Sequence, residues 1–305
     1  MSIYLPIAGV SADLLILLGL GLAVGFMSGM FGIGGGFIMT PLLIAINIPP
    51  AVAVSTGAAS VMASGVSGAL AQWKRGNVDL RLGVVLLLGG ALGAVIGVRC
   101  LTLLRRFGQL DLAVGLLFSF MLGVVGTLML IESLNSMLKA RRGAPVSARR
   151  AGQHAWFEKL PLKQRFATSR IYMSILPPLL LGAFVGLLTG IMGIGGGFIT
   201  VPALVYMFRA PTRIAVGTSL FQVVFVAGLT TLLHAGVNHT IDVVLAVPIM
   251  LGGVIGAQFG ATAGSRLNAQ QLRSLLAVVV LIAAARMALG LALTPSELFQ
   301  VDAAP

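Results

Sequence analysis

Apolar runs too long for a soluble core constrain this chain more than any motif does. The stretch LGVVLLLGGALGAVIGVRCLTL, residues 82–103, carries a single charge. About 20 such residues in helical form cross the hydrocarbon core of a bilayer. By that ruler helices are expected near 11–31, 36–47, 52–73, 82–103 and 109–131, and again near 172–192, 197–208, 213–235, 241–263 and 272–294. The second of each set is short, which suits a half-helix or a tilted, partly re-entrant segment. Only 9% of residues are charged, against about 25% in an average soluble domain, so too little polar surface remains for a soluble fold. The runs are continuous rather than alternating, which argues against a membrane β-barrel. The expected class is an all-α polytopic membrane protein with 8–10 transmembrane spans.

The net charge of +12 raises a nucleic-acid reading, but the basic residues lie in short loops between apolar spans, where cytoplasmic loops collect Lys and Arg. The densest is KARRGAPVSARRAGQHAWFEKLPLKQRFATSR, starting at Lys139. It reads as a cytoplasmic linker, and anionic lipid attracts such a segment. Lys74, Arg75, Arg81, Arg209, Arg213, Arg266 and Arg273 fall on its side if every span crosses. Arg99, Arg105 and Arg106 dissent. The loop GVNHTID and the acidic tail with Glu297 and Asp302 fall opposite, so both termini are expected to face away from the cytoplasm. The N-terminus lacks a basic n-region and is read without a cleaved signal peptide. Cys100 is the one cysteine, which excludes an internal disulfide and a cysteine metal cluster.

One phrase occurs twice. GMFGIGGGFIMTP begins at Gly29 and GIMGIGGGFITVP at Gly190. Gly32, Gly34, Gly35, Gly36, Phe37, Ile38 and Pro41 match Gly193, Gly195, Gly196, Gly197, Phe198, Ile199 and Pro202. Downstream, AVST at Ala53 matches AVGT at Ala215, and VDL…LGGALGA from Val78 matches IDV…LGGVIGA from Ile241. The chain therefore divides into a first repeat (1–131), a basic linker (132–171) and a second repeat (172–305). Five helices per repeat is an odd number, so the second repeat is expected upside down relative to the first, as in many secondary transporters.

Glycine costs a helix about 1 kcal/mol relative to alanine, and three together should break one. One reading is close helix packing, glycine's commonest use in membranes. The other is a break at membrane depth, tolerated only when buried in protein or lining a wet cavity. The helix resuming at Phe37 or Phe198 then offers free N–H groups and the positive end of its dipole, a ready anion site. A dinucleotide loop would need a preceding strand in a soluble βαβ unit, and none is present. The candidate substrate-binding set is Gly34, Gly35, Gly36 and Phe37 with Gly195, Gly196, Gly197 and Phe198.

Polar residues within the spans extend that set. Ser60, Ser64 and Ser67 share a face of the third helix by their spacing, below Ser55 and Thr56. Thr218, Ser219 and Gln222 form a similar stripe in the eighth. Ser and Thr can bond back to their own helix, whereas an amide such as Gln222 needs several partners. Thr56, Thr218, Ser219 and Gln222 join the candidate lining. Arg286 is a charge within a span and a functional hypothesis by default; snorkelling to an interface is the alternative. No intramembrane Asp or Glu is obvious as its partner. His234 and His239 flank the polar loop after the eighth helix and are read as surface residues, with proton coupling as the alternative. No metal site, nucleotide motif, catalytic set or cofactor site is visible, and no enzyme activity is expected.

The paired G-x-G-G-G-x-x-x-x-P phrases, the basic central loop and the helix number resemble the sulfite exporter TauE/SafE family, also called TSUP transporters. The resemblance covers nearly the whole chain except the linker and tail. It implies transport of sulfur-containing or small organic anions such as sulfite or sulfonates, and a bacterial inner-membrane location. The linker is longer and more basic than the family pattern, and substrate does not carry over. The resulting expectation is a secondary transporter of a small anion, coupled to protons and working by alternating access, with no nucleic-acid partner and homo-oligomerisation left open. A channel-like pore and a non-transporting membrane assembly factor remain as alternatives.

Overall fold

A computed structural model describes residues 2–31, 34–108, 110–141, 163–166, 168–169, 171–264 and 269–292. The first half contains α1 (Leu14–Phe31), α2 (Gly36–Ala45), α3 (Pro50–Lys74), α4 (Leu80–Arg106) and α5 (Leu110–Arg141). The second contains α6 (Leu176–Met192), α7 (Gly197–Pro202), α8 (Thr212–Leu233), α9 (Val243–Gly264) and α10 (Ala269–Ala292). α7 continues as a π-helical stretch, Ala203–Met207, and α8 as another, His234–Asn238.

The chain is not all-α. A hairpin of β1 (Ser2–Leu5) and β2 (Val10–Asp13) precedes α1, and a hairpin of β3 (Lys163–Phe166) and β4 (Ile171–Ser174) precedes α6. Ile3, Tyr4, Val10, Phe166, Ile171 and Tyr172 are good strand formers, but four-residue strands carry too little periodicity to register beside twenty-residue apolar runs. The hairpins begin at Ser2 and Lys163, the same interval that separates Gly29 from Gly190. α5 runs ten residues past the expected end of the first repeat, and β3 starts inside the expected linker. Residues 142–162 of that linker, Gly32, and the tail with Glu297 and Asp302 lie outside the described residues.

Five helical runs are long and apolar enough to cross a membrane: Leu14–Phe31, Pro50–Lys74, Leu80–Arg106, Thr212–Asn238 and Val243–Gly264. Shorter apolar helical segments include Gly36–Ala45, Leu176–Met192 and Gly197–Met207. On α4, Val84, Leu88, Leu92 and Ile96 are exposed. In a soluble protein such a stripe would be buried; facing lipid it needs no cover.

Glycine seams bind the halves to each other. On α1, an added Cβ at Gly21, Gly25 or Gly29 would collide with the backbone of Ile249, Gly253 or Ala257 on α9. On α6, Gly182, Gly186 and Gly190 meet Leu86, Gly90 and Ala94 of α4 in the same way. Small residues at these positions let backbones touch, the usual means of helix association where the solvent is itself apolar. In both seams the partner numbers rise together, so the paired helices run parallel. At the centre, Met62, Gly65 and Gly68 of α3 meet Gly228, Val224 and Leu220 of α8; those numbers fall as the others rise, so α3 and α8 are antiparallel. α4 runs parallel to α8, through Gly83 on Phe221 and Gly90 on Val226. α5 and α10 pack together at the periphery.

Candidate functional site

Both glycine phrases interrupt helices. α1 stops at Phe31 and α2 starts at Gly36. Between them Gly34 has φ +77° and Gly35 caps α2. α6 stops at Met192, and Gly193, Gly195 and Gly196 have φ of +68°, +76° and +72° before α7 begins. This left-handed region is open to glycine at no steric cost. The chain can turn here because glycine follows that path without the strain a side chain would add.

The two breaks meet each other. A Cβ on Gly36 would lie 2.7 Å from the Gly193 carbonyl oxygen and 2.8 Å from that of Ile194. Phe37 and Phe198, one residue into each resumed helix, stack with centroids 5.6 Å apart and are buried. Thr40 Oγ1 donates to the Met192 carbonyl oxygen at 3.3 Å, tying α2 to the end of α6. From the central helices Val61 and Val223 reach both breaks: an added Cβ on Gly34 would lie 3.2 Å and 3.5 Å from their Cγ1 atoms, and Gly195 faces the same two residues.

The glycine contacts account for packing at each position. Gly35 lies against Val24 and Ser28, and Gly196 against Val185. Alanine at either would disturb the fold, so abundance and flux would fall together and such a substitution cannot separate a packing role from a binding role.

The polar residues expected in the lining divide into satisfied and unsatisfied groups. Thr218 Oγ1 accepts from the Asp79 amide at 3.0 Å. Ser55 Oγ donates to the Thr240 carbonyl at 2.8 Å, and Ser64 Oγ to the Ser60 carbonyl at 2.9 Å. By contrast Thr56 Oγ1, Ser219 Oγ and Gln222 Nε2 are buried with no hydrogen-bond partner, as is Thr230 Oγ1 further along α8. Gln222 Oε1 accepts a long bond from Thr200 Oγ1, 3.4 Å, on α7. A buried orphan polar group costs about 1–3 kcal/mol, so four on the two central helices call for an explanation. Arg286 stands apart, exposed on α10.

Three buried groups escaped sequence reasoning. Asp79 caps α4 through the Leu82 amide and accepts from the amide and hydroxyl of Ser169 at 2.9 and 2.7 Å. Asp242 stands at the start of α9, accepting from Val244 and Leu245 and, across the fold, from Ile7 and Ala8. Each carboxylate thus holds the hairpin preceding the other half's first helix. Both stand in the VDL and IDV segments that mark the repeat, and an Asp directly before a helix is a capping signal. The third is His234. It is fully buried rather than on the surface, with Nε2 3.1 Å from the Gly190 carbonyl oxygen and Nδ1 3.0 Å from Asn238 Nδ2. The i, i+4 spacing of His234 and Asn238 was the available signal. Among the described residues no cluster of His, Cys, Asp and Glu could hold a metal ion.

A sequence model of the family described as Sulfite exporter TauE/SafE matches residues 17–287. A probable membrane transporter protein of Xylella fastidiosa (strain 9a5c) is 32% identical over 261 residues, covering 85% of this chain and 88% of the relative. The probable membrane transporter protein YunE of Bacillus subtilis (strain 168) is 26% identical over 275 residues, covering 88% and 94%. The probable membrane transporter protein MJ0441 of Methanocaldococcus jannaschii is 24% identical over 278 residues, covering 85% and 90%. No solved structure matches the chain.

Proposed function

The chain belongs to the sulfite exporter TauE/SafE family of membrane transporters, and from that premise we propose that it is a secondary transporter of small anions. Sulfur oxyanions, sulfonates and small carboxylates are the classes to test, with protons as coupling ion. The observation that carries this reading is the meeting of two helix breaks next to Gln222, whose Oε1 accepts from Thr200 on α7 while its Nε2 is buried without a partner. Helix starts leave their first amides without intrahelical partners. Two of them, at Gly36–Phe37 and Gly197–Phe198, converge with Gly34, Gly35, Gly195 and Gly196 leading in. Gln222 Nε2 adds a donor with nothing to donate to, and the hydroxyls of Thr56 and Ser219 can donate as well. Donors without acceptors suit an anion. Thr218 serves this site by holding Asp79, and Arg286, exposed on α10, is not assigned to it.

We further infer that the halves are inverted. α3 opposes α8, while α6 follows α4 and α8, and α1 follows α9. Reversal of each half relative to the other satisfies all of these directions. Alternating access then rocks one half against the other about the paired breaks, in a bacterial inner membrane with the basic segment after α5 in the cytoplasm. Flux of sulfite, sulfonates and carboxylates into proteoliposomes tests the reading. Saturable uptake with counterflow supports it. Failure of every anion under every imposed gradient overturns it, and flux without saturation or counterflow would point to a pore.

A further inference from the structure

We propose that His234 is the proton-binding site of this transporter, and that the amide of Asn238 rotates to admit and release the proton. The coupling role rests on the transport reading; the site itself rests on the geometry around the ring. Because Nε2 faces a carbonyl oxygen, Nε2 carries the ring proton. Nδ1 is then an acceptor, and the NH2 side of Asn238 donates to it. The other side of that amide, Oδ1, accepts from Thr102 Oγ1 at 2.7 Å, and Thr102 Oγ1 also lies 2.9 Å from the Val98 carbonyl oxygen.

That arrangement has a second, equally satisfied form. When Nδ1 takes a proton from hydronium, an N–H bond forms, an O–H bond breaks to leave water, and the ring becomes a cation with two donors. Asn238 turns over, so that Oδ1 accepts from Nδ1–H. Its Nδ2 then donates to Thr102 Oγ1, whose own hydrogen is already within reach of the Val98 carbonyl. On release the proton returns to water and the amide turns back. No buried group loses its partner in either form. Asp79 and Asp242 have no such freedom, since backbone amides occupy both oxygens of each. His234 is thus the buried ionisable side chain, among the described residues, with room to change state.

The position ties proton binding to the second break. Gly190 lies in the last turn of α6, two residues before that helix ends, where the dipole is negative and a cation is well placed. A charged donor hydrogen-bonds roughly twice as strongly as a neutral one, so protonation tightens the hold on the backbone leading into Gly193. The charged groups around the ring are few. From α4, Arg105 donates to the Asn238 carbonyl oxygen at 3.1 Å; Arg99 and Arg106, one turn to either side of Thr102, are exposed, and Cys100 lies across the helix from Thr102 by its 3.6-residue turn. α6 carries no titratable side chain, and on α8 Arg213 lies at the far end. His239 is exposed just beyond, and Asp242 is occupied.

Two measurements test this. In lipid nanodiscs, protein with 15N-labelled histidine and 13C-carbonyl glycine, assigned with His234→Gln, should show the His234 ring titrating within roughly pH 4–8, with the Gly190 carbonyl signal moving alongside. Should His234→Gln not reach the membrane, Asn238→Ala leaves the ring in place, and its titration should depart from the wild-type curve. A ring that stays unchanged across that range, or an Asn238→Ala curve matching the wild type, overturns the proposal. In proteoliposomes, His234→Gln should keep substrate counterflow but lose accumulation driven by a pH gradient; wild-type accumulation in that variant also overturns it. A wild-type protein that moves no anion defeats the transport reading alone, and the proton site is then decided by the titration.

Discussion

The rings of Phe37 and Phe198 stack at a centroid separation of 5.6 Å, so the residues that restart the two broken helices touch each other. They stand 161 positions apart in the chain and at the same place in the repeated phrase. Their contact is where the two repeated phrases meet.

Truncating that contact should be expensive. Phe37→Ala and Phe198→Ala are each expected to lower stability by about 3–5 kcal/mol, as for other buried Phe removals. The pair should also be coupled by about 0.5–1.5 kcal/mol beyond area burial. A double-mutant cycle of denaturation in detergent measures both; additive losses would show that the rings do not act together.

Gln222→Leu separates binding from packing better than any glycine change. It removes an unpartnered donor, and Thr200 keeps its bond to the Gly196 carbonyl oxygen. Folded abundance should therefore hold or rise, while anion flux falls. Size-exclusion profiles beside proteoliposome uptake give the two readings. Normal flux in this variant would remove Gln222 from the site.

The seams predict their own failure. Gly25→Val places a branched side chain against the backbone of Gly253, and Gly186→Val against that of Gly90. Overpacking of this kind costs about 1–3 kcal/mol or more. Each should lower the thermal unfolding temperature clearly, while the same change at Gly123, where a Cβ meets nothing within 4 Å, should not.

Asp242→Asn leaves fewer acceptor sites for the amides of Ile7, Ala8, Val244 and Leu245. A loss of about 1–3 kcal/mol is expected for buried donors left unpaired, with faster hydrogen exchange in residues 2–13 than elsewhere. Asp79→Asn should act on Ser169 and its neighbours in the same way. Unaltered exchange in both hairpins would mean that the carboxylates do not hold them.

Helix positions were readable because bilayer crossing imposes a length and a composition that few other constraints mimic. The expected 36–47 and 197–208 segments emerged as the short runs Gly36–Ala45 and Gly197–Met207, since glycines before and polar turns after bound them on both sides. The hairpins were not readable: their turns are held by Asp79 and Asp242 from the opposite half, a relation invisible to local pattern. His234 was misjudged for the same reason. A polar residue beside a loop looks exposed until Gly190 and Asn238 are brought around it by the packing of α6 on α4 and α8. The glycines fared better, because a positive φ is a property of the backbone itself.

The crossed seams also bear on assembly. During synthesis α1 emerges first, yet the surface it must join belongs to α9, nearly the last helix to leave the ribosome. α6 finds α4 already waiting. The newborn first helix must therefore remain in the bilayer unpaired, its glycine edge open, until most of the chain has followed. Neither half can close by itself, so a truncated product ending after α5 should be recognised by quality-control proteases as incomplete rather than persist as a stable fragment.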